Sequence, residues 1–450
     1  MGKYFGTDGI RGLAGQELRA EHAYKIGHFL GRYYGAEGKR ARCVVGKDTR
    51  LSSNMLECAL ASGLSEGGAD TYLLGVITTP AVSYITDTEG LDFGIMISAS
   101  HNPFYDNGIK IFNGCGEKLE DFVISKIENY LDSRELLPFA KGEEIGKIIE
   151  YKKGRGDYQK HLMGVVKSSF KGLKIGLDLS NGSASFLAAR VFEGLEATVY
   201  SINDQPNGIN INCACGSTDP KGLQRLVLEK GLDMGFAFDG DGDRCIAVSE
   251  RGEIIDGDFI LYILGRDLHE RGRLRGGCVV TTVMSNFGLY TALDNCGISY
   301  VQSPVGDRFV YEKMKERGYS VGGEQSGHII LSDYGKTGDG ILTALRVADV
   351  VRGKGEALSS LASLVKALPQ KTRSVFVKDK CKAMEGEEFK RAVDNTKKML
   401  DGKGQLLVRP SGTESAIRIT VWAKSDSECT DFIEKIAKTI EKEDNLQWKK

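Results

Sequence analysis

The sequence predicts an α/β protein of several domains, with three related mixed α/β units followed by a smaller α+β domain. Three observations carry this. At 450 residues the chain is too long for one core, and a typical domain of about 150 residues implies roughly three or more. Short apolar runs alternate with helical stretches as far as His328, the pattern of strands joined by crossover helices. Three times, an apolar run ends in a glycine-rich polar loop, which is where open α/β sheets place their sites.

The elements follow in order. A glycine-rich opening, Phe5-Gly6-Thr7-Asp8-Gly9-Ile10-Arg11-Gly12, suits a loop whose backbone approaches a ligand, with Arg11 as a phosphate clamp. A helix at about 20 to 34, strand 41 to 46, helix 52 to 67, strand 71 to 75, a short helix after Pro80 and strand 93 to 98 imply a parallel sheet. After Asn102-Pro103 ends that strand, a turn at Asp106-Asn107-Gly108 leads into a short strand, 109 to 112, carrying Lys110. A charged, glycine-containing stretch from 141 to 156 marks a boundary. The second unit has strand 173 to 178, polar turn 180 to 183, a helix to about 193, strand 197 to 202, helix 220 to 230 and strand 234 to 238. In the third, a helix from 256 precedes strand 278 to 283, a helix, strand 298 to 302, the loop Pro304-Val305-Gly306-Asp307-Arg308, another helix and a run at 319 to 321. From about Leu368 the pattern changes to strands near 373 to 378, 405 to 408 and 416 to 422, with helices at 385 to 400 and 426 to 442. The expected domains are therefore 1–150, 151–255, 256–367 and 368–450.

Composition narrows the function classes. Lys+Arg of 60 against Asp+Glu of 61 leaves a net charge of -1, so no global field recruits nucleic acid or an anionic membrane. An anionic ligand must be held by locally placed cations. The ten cysteines are scattered, and Cys213-Ala-Cys215 lacks the second pair of a zinc site, so they read as reduced thiols. No signal core or run of roughly 18 apolar residues is present, and a cytoplasmic protein is the expectation.

Four loops carry chemistry. Ser98-Ala99-Ser100-His101-Asn102-Pro103 presents hydroxyls beside an imidazole at a strand end; Ser100 is the candidate nucleophile, but the residues alone do not separate it from Ser98. Asp239-Gly240-Asp241-Gly242-Asp243-Arg244 crowds three carboxylates that repel one another until a divalent cation neutralises them. Asp239, Asp241, Asp243 and Glu250 do match positions 1, 3, 5 and 12 of an EF-hand loop, but Arg244 stands where that loop needs glycine. Gly323-Glu324-Gln325-Ser326-Gly327-His328 offers donors and acceptors suited to sugar hydroxyls. Arg409-Pro410-Ser411-Gly412-Thr413-Glu414, with Arg418 on the next strand, has the groups to grip a terminal phosphate.

Together these loops resemble the four signature loops of the α-D-phosphohexomutase superfamily, in order and across the whole chain. Within it, the Phe5–Gly12 segment, the Pro304–Arg308 segment and Gln325 resemble the amino-sugar branch more than the hexose branch. The resemblance implies four domains around a central cleft, with Ser100 rather than Ser98 carried as phosphoserine. It implies Mg²⁺ between Ser100, Asp239, Asp241 and Asp243; substrate phosphate on Arg409, Ser411, Gly412, Thr413 and Arg418; and sugar contacts from Glu324, Ser326, His328, Asp307 and Arg308. Ser100, His101, Lys110, Arg11 and Arg244 would form the catalytic set, with Lys110 or His101 handling the hydroxyl proton. The implied reaction interconverts glucosamine 6-phosphate and glucosamine 1-phosphate through a bisphosphate, feeding UDP-N-acetylglucosamine synthesis. Glucosamine or glucose 1,6-bisphosphate would be the activator, and the active form a monomer or homodimer. Small departures are Ser415 where the family often has proline and Cys245 where an aliphatic residue is usual. A hexose phosphate mutase is the near rival. A serine hydrolase using Ser100 and His101 lacks a G-x-S-x-G elbow, and a non-catalytic sugar-phosphate sensor is the binding-protein alternative.

Overall fold

The computed structural model describes residues 3–6, 8–35, 39–411 and 415–446. Two compact units are present, one of residues 1–282 and 301–362, the other of 283–300 and 363–450.

The first unit opens with a seven-stranded sheet. Its order is Phe5–Gly6, Gly9–Leu13, Asp106–Asn113, Phe93–Ile97, Arg42–Lys47, Asp70–Val76 and Ile148–Glu150. The four strands from Phe93–Ile97 outward to Ile148–Glu150 are parallel, whereas Asp106–Asn113 and Gly9–Leu13 return antiparallel. The expected parallel sheet is thus mixed. Every residue of Phe93–Ile97 is buried, and full burial of each large apolar side chain contributes roughly 1.5–3 kcal/mol. Helices Ala20–Tyr34 and Leu51–Glu66 cover one side, crossing so closely that a Cβ on Gly63 would lie 2.1 Å from the Tyr24 carbonyl oxygen.

The turn expected at Asp106-Asn107-Gly108 is instead strand. Pro103 has already reversed the chain, with Asp106 N–H bonded to the Pro103 carbonyl, and Asn107 is buried, donating to the hydroxyls of Ser52 and Ser53. An Asn-Gly pair signals a hairpin only where nothing upstream has made the turn.

A five-stranded sheet follows, ordered Ile254–Ile255, Cys245–Ser249, Met234–Phe238, Lys174–Asp178, Thr198–Ile202. Met234–Phe238 runs parallel to Lys174–Asp178 but antiparallel to Cys245–Ser249. A four-stranded sheet has the order Ser299–Ser303, Cys278–Thr282, Val321–Gly323, Ile329–Leu331, with Val321–Gly323 parallel to the strand before it and antiparallel to the strand after it. One device therefore recurs three times. A strand with a parallel neighbour is followed by an antiparallel return strand, and the connection is a signature loop: 98–105, 239–244 and 324–328.

The second unit holds an antiparallel sheet of Gln370–Phe376, Ala416–Trp422 and Gln405–Pro410. Its core joins Val375, Ile417, Ile419 and Val421 to Phe389, Leu400, Ile433 and Ile436 of helices Glu387–Leu400 and Asp426–Leu446. The helix expected over 385 to 400 is present as Glu387–Leu400, preceded across Gly386 by a short helix, Lys380–Glu385, that the sequence reading did not include.

Candidate active site

Strand Phe93–Ile97 delivers the chain to Ser100, which is buried and holds φ at 53°, a left-handed conformation that non-glycine residues rarely take. The surroundings enforce it. Arg50, wholly buried, is paired with Asp48 at 2.7 Å and donates to the carbonyls of Ser100 (2.9 Å), Asn102 (2.8 Å), Asp106 (3.0 Å) and Pro103. Asn212 adds bonds to the Ser100 and Asn102 carbonyls. Ser98 is part of this scaffold, since its hydroxyl donates to Asp48 (2.6 Å) and accepts from the Ser100 N–H (2.9 Å). The two serines are thereby distinguished by geometry: Ser98 braces the loop, and the Ser100 hydroxyl donates to Asp239 Oδ2 at 2.6 Å.

Asp239, Asp241 and Asp243 sit on the hairpin loop between Met234–Phe238 and Cys245–Ser249, each offering an oxygen within 4.8 Å of the others. Gly240 lets this loop meet the serine loop, because a Cβ there would lie 2.6 Å from the Ser100 carbonyl oxygen. All three carboxylates are buried. Lys110 Nζ lies 2.8 Å from Asp241, 3.1 Å from Asp243 and 3.0 Å from Asp8. Burial opposes its charge, yet these carboxylates outweigh burial and raise the lysine pKa above its usual range. Burial also opposes ionisation of Asp243, but Lys110, His328 and Arg244 hold it well below the ordinary carboxylate range. Asp239 goes the other way, raised by burial and by the charges of Asp243 and Asp241. The donor set fits a divalent cation: Asp241 Oδ1 and Asp243 Oδ1 are buried without a hydrogen-bond partner, and the Arg244 charge near Asp239 does not offset the burial and like charges that raise its pKa. Thr79 Oγ1 donates to Asp241 Oδ2.

His101 Nδ1 is 3.5 Å from the Ser100 hydroxyl. Burial, with help from Arg244 and Arg11, lowers its pKa to about 4, so the ring is neutral near pH 7. Arg11 pairs with Asp8 at 2.5 Å and keeps a buried Nε without a hydrogen-bond partner, as does Arg244.

The sugar-loop residues divide. His328 is buried between Asp243 (3.7 Å) and Asp307 (3.5 Å). Burial and the Gly338 N–H bonded to Nε2 favour a neutral ring, but Asp243, Asp307 and Glu324 outweigh both, and the pKa rises to about 9. Asp307 also pairs with Lys118, while Arg308 makes a two-pronged pair with Asp121 (2.6 and 3.0 Å). Asp307, Arg308 and His328 line a cavity of about 260 Å³ together with Lys118 and Lys336. Glu324 and Ser326 do not line it; Glu324 instead accepts from the Gly306 N–H at 3.0 Å, and Ser326 is half-buried.

On the second unit, Arg409 and Arg418 face each other across the hairpin as register partners. Burial and the Arg418 charge lower the Arg409 pKa. Ser411 is buried, and its carbonyl accepts from Lys380 Nζ at 2.8 Å. Gly412 and Thr413 lie outside the described residues.

Arg50, Asp48, Asn212, Thr79 and Lys118 are site residues that sequence reasoning missed. The available signal was Lys47-Asp48-Thr49-Arg50, a charged run at the end of a strand, where α/β sites form.

A serine set against an acidic cluster on consecutive mixed sheets, with an arginine pair on a hairpin, is a set of groups suited to phosphate in an α/β protein, and similarity to known proteins makes the class specific. Four segments match the phosphoglucomutase/phosphomannomutase family: α/β/α domain I over residues 2–137, domain II over 156–252, domain III over 256–371 and the C-terminal domain over 374–439. The chain belongs to this family. Its relatives include the phosphoglucosamine mutase of Lachnospira eligens, 52% identical over 98% of each chain, and that of Bacillus subtilis, 46% identical over 99% of this chain and 100% of the relative. Among solved structures, a phosphoglucomutase/phosphomannomutase family protein from Burkholderia thailandensis superposes with a TM-score of 0.82 at 25% identity, covering 97% of both chains. The N-acetylphosphoglucosamine mutase of Aspergillus fumigatus, solved in complex with GlcNAc-6P and magnesium, shares the fold at a TM-score of 0.68 and 16% identity, covering 98% of this chain and 96% of its own. Among the described residues, no helix is long and apolar enough to cross a membrane.

Proposed function

We propose that the chain interconverts glucosamine 6-phosphate and glucosamine 1-phosphate, with Ser100 as the phosphoryl carrier. The observation that carries this reading is the Ser100 hydroxyl set 2.6 Å from Asp239 in the wall of the acidic cluster, because a phosphoryl group on that oxygen would meet the cation the cluster fits.

A sugar hydroxyl oxygen attacks the phosphorus on Ser100. The new P–O bond forms as the Ser100 Oγ–P bond breaks, and the proton lost by the attacking hydroxyl passes through His101 to the departing Oγ, giving a sugar bisphosphate and a free serine hydroxyl. After the sugar reverses, Ser100 Oγ attacks the other phosphate and releases the isomeric monophosphate. Mg²⁺ held by Asp239, Asp241, Asp243 and the Ser100 phosphoryl oxygens would supply Lewis-acid stabilisation of the transferring group. Lys110, Arg11 and Arg244 supply positive charge around the same atoms, and catalysis rests mainly on positioning and electrostatics. Lys110, ion-paired to three carboxylates, acts as a charge partner. Neutral His101, beside Oγ, is the group able to accept the hydroxyl proton. Asp307, Arg308 and His328 orient the sugar from the cavity they line, while Arg409, Ser411 and Arg418 hold the phosphate that is not transferred. A hexose 1,6-bisphosphate serves as activator by charging Ser100.

Two measurements test this. Intact mass should show a gain of about 80 Da from one phosphate, absent in Ser100→Ala. In a panel of amino and plain hexose phosphates with bisphosphate activator and Mg²⁺, glucosamine phosphates should be the preferred pair. Turnover of glucose or mannose phosphates alone would transfer the chain to the hexose branch, and activity retained in Ser100→Ala would remove the carrier role.

A further inference from the structure

Away from the residues assigned to the reaction, a concave site of about 340 Å³ opens in the first unit. Helix Lys152–Gly164 contributes Lys152 and Arg155, and helix Ala188–Gly194 contributes Arg190, so three cations line it and no carboxylate does. Lys152 has only an exposed, 3.5 Å approach to Glu150, and among the described residues Arg155 and Arg190 make no ion pair or side-chain hydrogen bond. In a chain with nearly equal numbers of acids and bases, two neighbouring arginines left without carboxylates form a local positive field. The wall carries two further features. Ser183 is buried and its hydroxyl has no hydrogen-bond partner, and Phe186 is 47% exposed beside the cations.

We propose that this is a binding site for a nucleoside diphosphate moiety. Arg155, Arg190 and Lys152 match the roughly three negative charges of a diphosphate, and arginine forks take phosphate oxygens in pairs. Phe186 offers an aromatic face on which a base stacks, and the half-buried Val76 beside it would stay uncovered under inorganic phosphate. The volume falls within the roughly 300–1,000 Å³ of small-molecule sites.

Isothermal titration of the full chain with UDP, ADP and inorganic pyrophosphate, in magnesium-free buffer, tests the site. One nucleotide should bind per chain, and Arg155→Gln/Arg190→Gln should weaken it about tenfold or more. Phe186→Ala should weaken UDP or ADP severalfold while leaving pyrophosphate unchanged. Arg409→Gln, on the phosphate hairpin, should not alter the nucleotide isotherm. Circular dichroism and unchanged sugar-phosphate turnover establish that the double variant is folded. Superposable isotherms for wild type and the double variant would overturn the site. Pyrophosphate binding as tightly as UDP and ADP would overturn the nucleoside assignment, and a nucleotide isotherm abolished by Arg409→Gln would move the ligand to the phosphate hairpin.

Discussion

The serine and aspartate loops of the first unit and the arginine hairpin of the second are both assigned to phosphate, yet their charges are arranged differently: opposite charges alternate in the first, and two like charges stand across a ladder in the second. Around the serine and aspartate loops the charges are paired within the protein: Arg50 with Asp48, Lys110 with Asp8, Asp241 and Asp243, and His328 between Asp243 and Asp307. In the hairpin, Arg409 stands opposite Arg418, and like charges directly across a ladder are destabilising. The difference follows from the work proposed for each. A centre where a phosphoryl group is made and broken must hold its geometry throughout the cycle. A grip that fills and empties needs two guanidinium groups brought to one place, and the cross-strand register supplies them.

Breaking the first half of that comparison should have the largest effect. Arg50→Ala leaves Asp48 buried without its partner and four carbonyls without their donor, so urea denaturation should record a loss of about 3–5 kcal/mol. Arg50→Lys keeps the charge but not the fork. That variant should fold, yet lose about 100-fold in kcat with little change in KM, because an ammonium cannot reach all the carbonyls that hold Ser100 left-handed. Wild-type kcat in Arg50→Lys would show that the loop holds its conformation without the guanidinium.

A smaller effect is expected at Asp339, the carboxylate that caps helix Gly340–Lys354 and accepts from Tyr158. Among the described residues it makes no ion pair, and burial raises its pKa from 3.8 to about 6. The folded state therefore binds this proton more tightly than the unfolded chain. The resulting stabilisation is fully present below the unfolded value and is lost as pH rises through about 6, a total of roughly 3 kcal/mol. Asp339→Asn preserves the cap and should flatten denaturation free energy between about pH 4 and pH 6. An unchanged slope would assign the pH dependence to another group.

How much of this was legible in sequence varies with the range of the interactions. The three signature loops were readable because each breaks an apolar strand with glycine and polar residues, which is local information. That each leads into an antiparallel return strand was not stated by the pattern, since a short buried run carries no sign of direction. Ser98 and Ser100 have the same local chemistry, and they separate only through Asp48 and Asp239, which are 50 and 139 residues away from their respective serines. Arg50 carried no local signal because its four carbonyl partners lie more than 45 residues downstream. Lys110 was recognised as a cation, but its three carboxylates come from two distant loops. The misplaced turn at 106–108 had the same origin, a sound local signal overridden by Pro103.

The hairpin supplies the smallest predicted effect and the sharpest contrast with Arg50. Arg409→Gln removes one of two opposed cations, so stability should be unchanged or improve by a few tenths of a kcal/mol in phosphate-free buffer. With substrate, the loss of a charge-assisted phosphate contact made in both ground and transition states should raise KM about tenfold while kcat stays within about threefold. The pair of outcomes matters more than either alone. If Arg409→Gln destabilised the apo protein, the arginine would be paired within the fold, and the proposed asymmetry would fail. If it lowered kcat and left KM unchanged, the hairpin would act on the transferring phosphoryl group rather than on the stationary one, and the division of labour between the two units would be reversed.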